Sequence, residues 1–313
     1  TKDVLIAGSD ADTTFENESR TPFRSWRIMD GTEEEGYIEF EIGYSDLVGN
    51  IGDTVEETTN QTSILFDITP PDDFELDTVF VSGGKVIFGF WNASNDTLTL
   101  RVPIPEDDET LIGGTFQSQA RFGEGTYVNL GDEKIIIGGQ GVSSQDLKIT
   151  RMEFTTTNGY SENENVQFIA KAKDRAGNET VGSTDNTTLH IDEIVPSLTE
   201  VLIQSNNELD STWAKISDIV SLNFTASEGL SFVTPVLFSD SLTGVSENAG
   251  SSWTVTKTIL SDNAEGIIPF FITYNDTAGN EGDQVSSSTD GRSVTLDKTN
   301  PRITNLLEGN EGL

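Results

Sequence analysis

The sequence predicts an all-β chain built from tandem β-sandwich domains. Three observations carry this. Short runs such as "TVFVSG", "KVIFGFW", "KIIIGG", "VSLNF" and "SVTLD" are rich in Val, Ile, Phe and Thr and are bounded by Gly, Asn, Asp and Pro, the signature of strands. Helical periodicity is nearly absent. And one acidic phrase is written three times, as "YSDLVGNIGDTV", "AKDRAGNETVGS" and "YNDTAGNEGDQV". The copies lie 128 residues apart (Gly49 to Gly177) and 102 residues apart (Gly177 to Gly279). Those spacings are too long for a solenoid and suit tandem sandwiches.

Each element around the phrase follows from its residues. Upstream runs an alternating strand: Ile38, Phe40, Ile42 and Tyr44 in the first copy, Val166, Phe168, Ala170 and Ala172 in the second, Ile268, Phe270, Ile272 and Tyr274 in the third. A two-residue period predicts one buried and one wet face. Downstream comes a second strand that ends in Asp, three residues and Pro: Asp67 with Pro71, Asp192 with Pro196, Asp297 with Pro301. The phrase is then the closing hairpin of each domain, and Pro starts the link to the next. Earlier strands match more loosely. "FWNAS" resembles "NFTAS", "VLIAGSD" resembles "VLFSDSL", and Trp26 and Trp253 are expected as core anchors.

The expected domains are 1–71 (the C-terminal part of a sandwich), 72–196, 197–301, and a first strand of a following domain at 302–313. Pro105 to Gln145 reads as added strands and a hairpin in the middle domain. "PRITNLLEGNEGL" resembles "PSLTEVLIQSNNEL", so the stretch reads as an excerpt of a longer array. A filament assembled by donating that final strand to a neighbour is a further possibility.

Composition narrows the function. The chain has 313 residues, 18 Lys plus Arg against 53 Asp plus Glu, and a formal net charge of −35. Nucleic acid is excluded as a partner, because neutralising phosphates takes clustered cations. Such self-repulsion calls for salty water, bound divalent cations, or both. Cysteine is absent, which removes disulfides, thiolate ligands and a thiol nucleophile. No apolar run reaches the roughly 18 residues of a transmembrane helix. A basic-then-apolar leader is absent from the opening residues, so an exported protein would carry it outside this stretch.

The acidic turn has two readings. Structurally, Asp caps a tight turn, Gly takes positive φ and Asn hydrogen-bonds locally. Chemically, Asp and Asn four residues apart offer hard oxygens to Ca²⁺. The candidate ligands are Asp46, Asn50, Asp174, Asn178, Asp276 and Asn280 in the turns, and Asp67, Asp192 and Asp297 at the exits. "SDADTTFENES" begins like an EF-hand but fails it, with Phe15 and Thr21 where Gly and Glu are required. Sequons for N-linked glycans fall at Asn17, Asn60, Asn92, Asn95, Asn178, Asn186, Asn223 and Asn275. Asn17, Asn60, Asn92, Asn95 and Asn186 are the candidate acceptors. Asn178 and Asn275 lie in the proposed calcium turns and Asn223 in a strand. A catalyst is not expected. The one histidine, His190, stands mid-strand with no evident nucleophile or orienting partner.

The D-x-A-G-N turn followed by "VTLDKTNP" resembles the closing hairpin of immunoglobulin-like tandem domains in microbial surface proteins, bacterial adhesins and archaeal S-layer glycoproteins among them. Acidity, sequons and missing cysteine are most similar to the S-layer proteins of marine ammonia-oxidising archaea. The resemblance implies an extracellular, non-enzymatic array protein that binds divalent cations, carries glycans and self-associates into a lattice. A calcium-stiffened adhesin stalk is the alternative it leaves open. The middle copy departs from the pattern, reading "RAGN" with Lys171 and Lys173 nearby.

Overall fold

The computed structural model describes residues 2–304, apart from 12, 16–23, 106–107, 109, 139–141, 243–245 and 249–250. It is all-β. Among the described residues the one α-helix is Arg151–Thr155, opened by a capping box between Thr150 and Glu153.

Buried apolar side chains gather in two clusters, one drawn from Leu76 to Ile191 and one from Val201 to Leu296. Two sheets supply the buried faces of the first cluster and three those of the second. The strand Ile219–Ala226 alternates exposed or half-buried with buried residues along its length. It lies between Leu198–Ser205 and Ser252–Thr258 in one sheet. The facing layer pairs Leu230–Leu237 with Phe270–Asp276. Trp213–Ala214 runs parallel to Thr295–Leu296 at its side. The middle segment repeats the plan. Thr97–Pro103 lies between Thr78–Ser82 and Ser144–Thr150. Thr115–Phe122 pairs with Asn165–Lys173, and Phe90–Asn92 runs parallel to Thr188–Asp192.

This topology corrects two expectations. Thr115–Phe122 is the counterpart of Leu230–Leu237, and Leu111, Phe116, Ala120, Leu130 and Ile136 belong to the core. The material between Pro105 and Gln145 is therefore framework, with the short strands Val128–Asn129 and Lys134–Ile135 added to it. "FWNAS" is not the equivalent of "NFTAS" either. The first begins on a strand paired in parallel with Thr188–Asp192; the second lies on a central antiparallel strand of the opposite sheet.

The first segment repeats the closing half of the last, pair for pair. Ile6 faces Phe40 as Leu237 faces Phe270. Gly36 faces Phe66 as Gly266 faces Leu296. The bridge Ile42 to Val55 matches Ile272 to Val285. Counterparts of Leu198–Ser205 and Ile219–Ala226 are absent from its described sheets. Side chains buried in the last segment are therefore open here: Tyr44 is 46% exposed against 4% for Tyr274. Trp26, expected as a core anchor, is 44% exposed, whereas Trp253 is 5% exposed and stacks on Phe224 at 5.8 Å. The open face forms a groove of about 1080 Å³ lined by Val4, Ile6, Phe40, Ile42, Tyr44 and Val55, among others.

Candidate metal centre at a joint between segments

The acidic turn is built the same way in each copy. In the third, Asp276 Oδ1 accepts the amides of Gly279 and Asn280 at 2.7 and 2.9 Å, and Oδ2 accepts Asn280 Nδ2 at 2.8 Å. Asp174 does the same with Gly177 and Asn178. Asp46 accepts from Val48, Asn50 and the Asn50 side chain. The first glycine is required because φ is +93°, +103° and +92° at Gly49, Gly177 and Gly279. The second, Gly52 or Gly282, makes room for the ring of Tyr44 or Tyr274, which would lie 2.1 Å from an added Cβ. The structural reading of the turn is thus sound, and hydrogen bonds to the carboxylates hold Asp46 below the usual aspartate range.

The turn also does something the sequence does not display. It meets the exit of the preceding segment, not of its own. Asn280 Nδ2 donates to Asp192 O at 2.9 Å, and the Ala93 amide donates to Asn280 Oδ1 at 2.8 Å. Asn92 Nδ2 adds a bond to Ala278 O at 2.7 Å. Lys85 reaches Asn275 Oδ1 at 3.1 Å. At the earlier joint, Asn178 Nδ2 donates to Asp67 O at 3.2 Å, and Thr180 Oγ1 to Pro71 O.

At the second joint three carboxylates converge. One oxygen each from Asp192, Glu228 and Asp276 lies within 4.8 Å of the others. Asp276 is buried, and Asp192 and Glu228 are half-buried. Burial, then mutual repulsion with Asp276 and Glu162, raises Asp192. Burial, then the charges of Asp192, Asp276 and Glu162, raises Glu228. Glu228 Oε1 is buried with no hydrogen-bond partner. An orphaned buried carboxylate oxygen beside two further acids is what a bound cation would satisfy, and an all-oxygen donor set is what Ca²⁺ takes. The residues therefore fit the ion. The linker is anchored independently: Glu193 accepts from Trp91 Nε1 at 2.9 Å and pairs with Arg151, while its amide donates to Glu162 at 2.9 Å.

Of the predicted ligands, Asp192, Asp276 and Asn280 come together here. Asp67 meets Asn178 through its carbonyl, and Asp67 Oδ2 is buried without a partner. Asp174 stays within its turn. Asp46, Asn50 and Asp297 touch no other segment among the described residues. Sequence reasoning missed Glu228. It also missed the pairing of a turn with the exit before it, which the Asp-to-Pro spacing at every exit could have prompted.

Among the glycan candidates, Asn92 and Asn95 are buried at 0% and 1% exposure and spend their amides on backbone carbonyls. The fold thus leaves neither free to carry a glycan. Asn60 and Asn186 are exposed in loops; Asn17 lies outside the described residues. His190 Nδ1 pairs with Asn165 Oδ1 at 3.1 Å, and its ring stands edge-on to Phe90.

No protein family matches the chain, and no curated protein matches its sequence. Among solved structures, it is similar to one described as giving structural insight into host cell surface retention of a 1.5-MDa bacterial ice-binding adhesin, at 17% identity over 95% of this chain and 86% of that one, TM-score 0.37. It is also similar to SGBP-B of the Bacteroides ovatus mixed-linkage glucan utilization locus, bound to a mixed-linkage heptasaccharide, at 13% identity over 95% of this chain and 60% of that one, TM-score 0.19. At such TM-scores neither likeness bears on what this chain does.

Proposed function

We propose that this chain is a structural section of an extracellular cell-surface protein. On this reading its immunoglobulin-like sandwiches are locked head to tail by the acidic turn, and calcium at Asp192, Glu228 and Asp276 stiffens the second joint. The observation that carries it is the convergence of three carboxylates, one with an orphaned buried oxygen, at the place where two segments meet. When bound, the ion supplies the positive charge that turns mutual repulsion into shared ligation. The net charge of −35 fits water rich in cations. The chain catalyses nothing on this reading. Lateral association would make it an S-layer lattice with a cation-attracting surface, with glycans at Asn60 and Asn186. The head-to-tail bonds of Asn178 and Asn280 equally favour a stiff adhesin stalk.

Small-angle scattering of the full chain in calcium and then in chelator tests the clamp, and electron microscopy separates sheet from rod. A maximum dimension that broadens on chelation supports it. An unchanged profile, with no calcium binding by calorimetry, overturns it.

A further inference from the structure

The two joints share a plan and differ at two positions. Each sets a turn aspartate, Asp174 or Asp276, near an exit aspartate, Asp67 or Asp192, and the turn asparagine bridges to the carbonyl of that exit aspartate. The turn aspartates are spent alike, on the amides of Gly177 and Asn178 or of Gly279 and Asn280 and on the asparagine side chain. What differs is the charge around them.

At the second joint the third carboxylate comes from the loop that enters Leu230–Leu237. Leu230 stands opposite Asp276, and Glu228 lies two residues before it. In the middle segment Thr115 stands opposite Lys173, which sets Gly114 against Asp174. A Cβ added to Gly114 would lie 2.9 Å from Asp174 Cα. Two residues before Gly114 is Ile112, 41% exposed. The residue after the turn aspartate differs as well: Thr277 at the second joint, Arg175 at the first, both exposed. The Arg175 amide donates to Thr110 O at 3.0 Å, so the loop that carries Ile112 is held against the turn. The first joint thus has an apolar side chain at the register position of Glu228 and a cation in the turn itself. Asp67 keeps a buried oxygen without a partner, yet among the described residues no third acid gathers with it and Asp174. Three converging carboxylates repel until a cation shares them. Two carboxylates with an arginine on the same turn carry their own counter-charge.

We propose that calcium sensitivity is confined to the second joint, and that Glu228 and Thr277, against Ile112 and Arg175, decide it. The chain is then a hinge with a single calcium-gated pivot. With the ion removed, the last segment swings on the linker while the first and middle segments stay docked. This rests on reading Asp192, Glu228 and Asp276 as a calcium clamp.

The chain has no cysteine, so paired spin labels go in without background. Thr59, Thr126 and Ser286 are exposed, one in each segment. Pulsed EPR of the full chain carrying Thr59→Cys and Thr126→Cys spans the first joint; Thr126→Cys and Ser286→Cys span the second. Removing calcium should widen the distance distribution across the second joint and leave the first as it was. Ile112→Glu with Arg175→Thr should give the first joint the same calcium response, and Glu228→Ile with Thr277→Arg should abolish it at the second, each with unchanged circular dichroism. Either exchange decides the question should the other fail to fold. A calcium response at both wild-type joints overturns the proposal and leaves the clamp standing. So does an exchange that folds yet moves no response. No response at the second wild-type joint overturns it too, and calorimetry that finds no calcium bound then shows that the clamp itself has failed.

Discussion

Glu228→Gln separates a cation ligand from an ordinary loop acid, because the two roles give opposite signs. Three carboxylate oxygens within 4.8 Å repel. A pair at that distance costs about 3–4 kcal/mol at an effective dielectric near 20 and about 1 kcal/mol in water. Glu228 is half-buried, so solvent screening sets the cost per pair near the lower limit, and neutralising it relieves two pairs. In chelator the variant should therefore be more stable by about 2 kcal/mol. For a segment of roughly one hundred residues that is a rise of about 10 °C in Tm. In calcium the order inverts. Wild type gains about 2.7 kcal/mol when the ion is at one hundred times its Kd, and the variant, short of one ligand, loses most of that. Scanning calorimetry in chelator and in saturating calcium reads both effects. A variant equally destabilised in both buffers would refute the argument and make Glu228 a structural residue.

Further outcomes follow from the same geometry. Asn280→Ala removes two bonds across the joint and should cost about 1–3 kcal/mol of coupling between the segments, seen as two separated melting transitions in place of one. Asp192 and Glu228 are both raised above the ordinary carboxylate range, so the folded joint binds more protons than the unfolded chain. In chelator, stability should fall as pH climbs from the ordinary range through the raised values. Calcium affinity should instead weaken as pH falls and protons compete, which titration calorimetry against pH checks. Trp253→Ala should cost about 3–5 kcal/mol in denaturant unfolding, and Trp26→Ala, half-exposed with no stacking partner among the described residues, less than about 1 kcal/mol. Glycopeptide mass spectrometry of the native protein should find modification at Asn60 and Asn186 and none at Asn92 or Asn95.

Local pattern made the strands and the turn legible. The alternation of Ile268, Phe270, Ile272 and Tyr274 gives the buried face, and Asp276, Gly279 and Asn280 give the hydrogen-bonded loop. What neighbours such a face is not local. Trp26 and Trp253 occupy similar sequence, yet only Trp253 has Phe224 beside it. Asn92 and Asn95 look like surface sequons, and their burial depends on chain folded around them, including Ala278 far downstream. Glu228 carries no sequence mark, because its neighbours Asp192 and Asp276 reach it through strands of two segments. Period-two reading fixes which residues point together on one strand; it is silent on which turn docks on which exit.

The joint also imposes a timetable. Asp192 and Asn92 complete the exit of the middle segment, but Asp276 and Asn280 come only near the close of the next, after almost all of its strands. During synthesis from the N-terminus, each finished segment must wait with its acidic exit uncovered until the following one has folded. Closure of a joint thus reports that the next sandwich is complete. A row assembled this way matures one step behind its own growth.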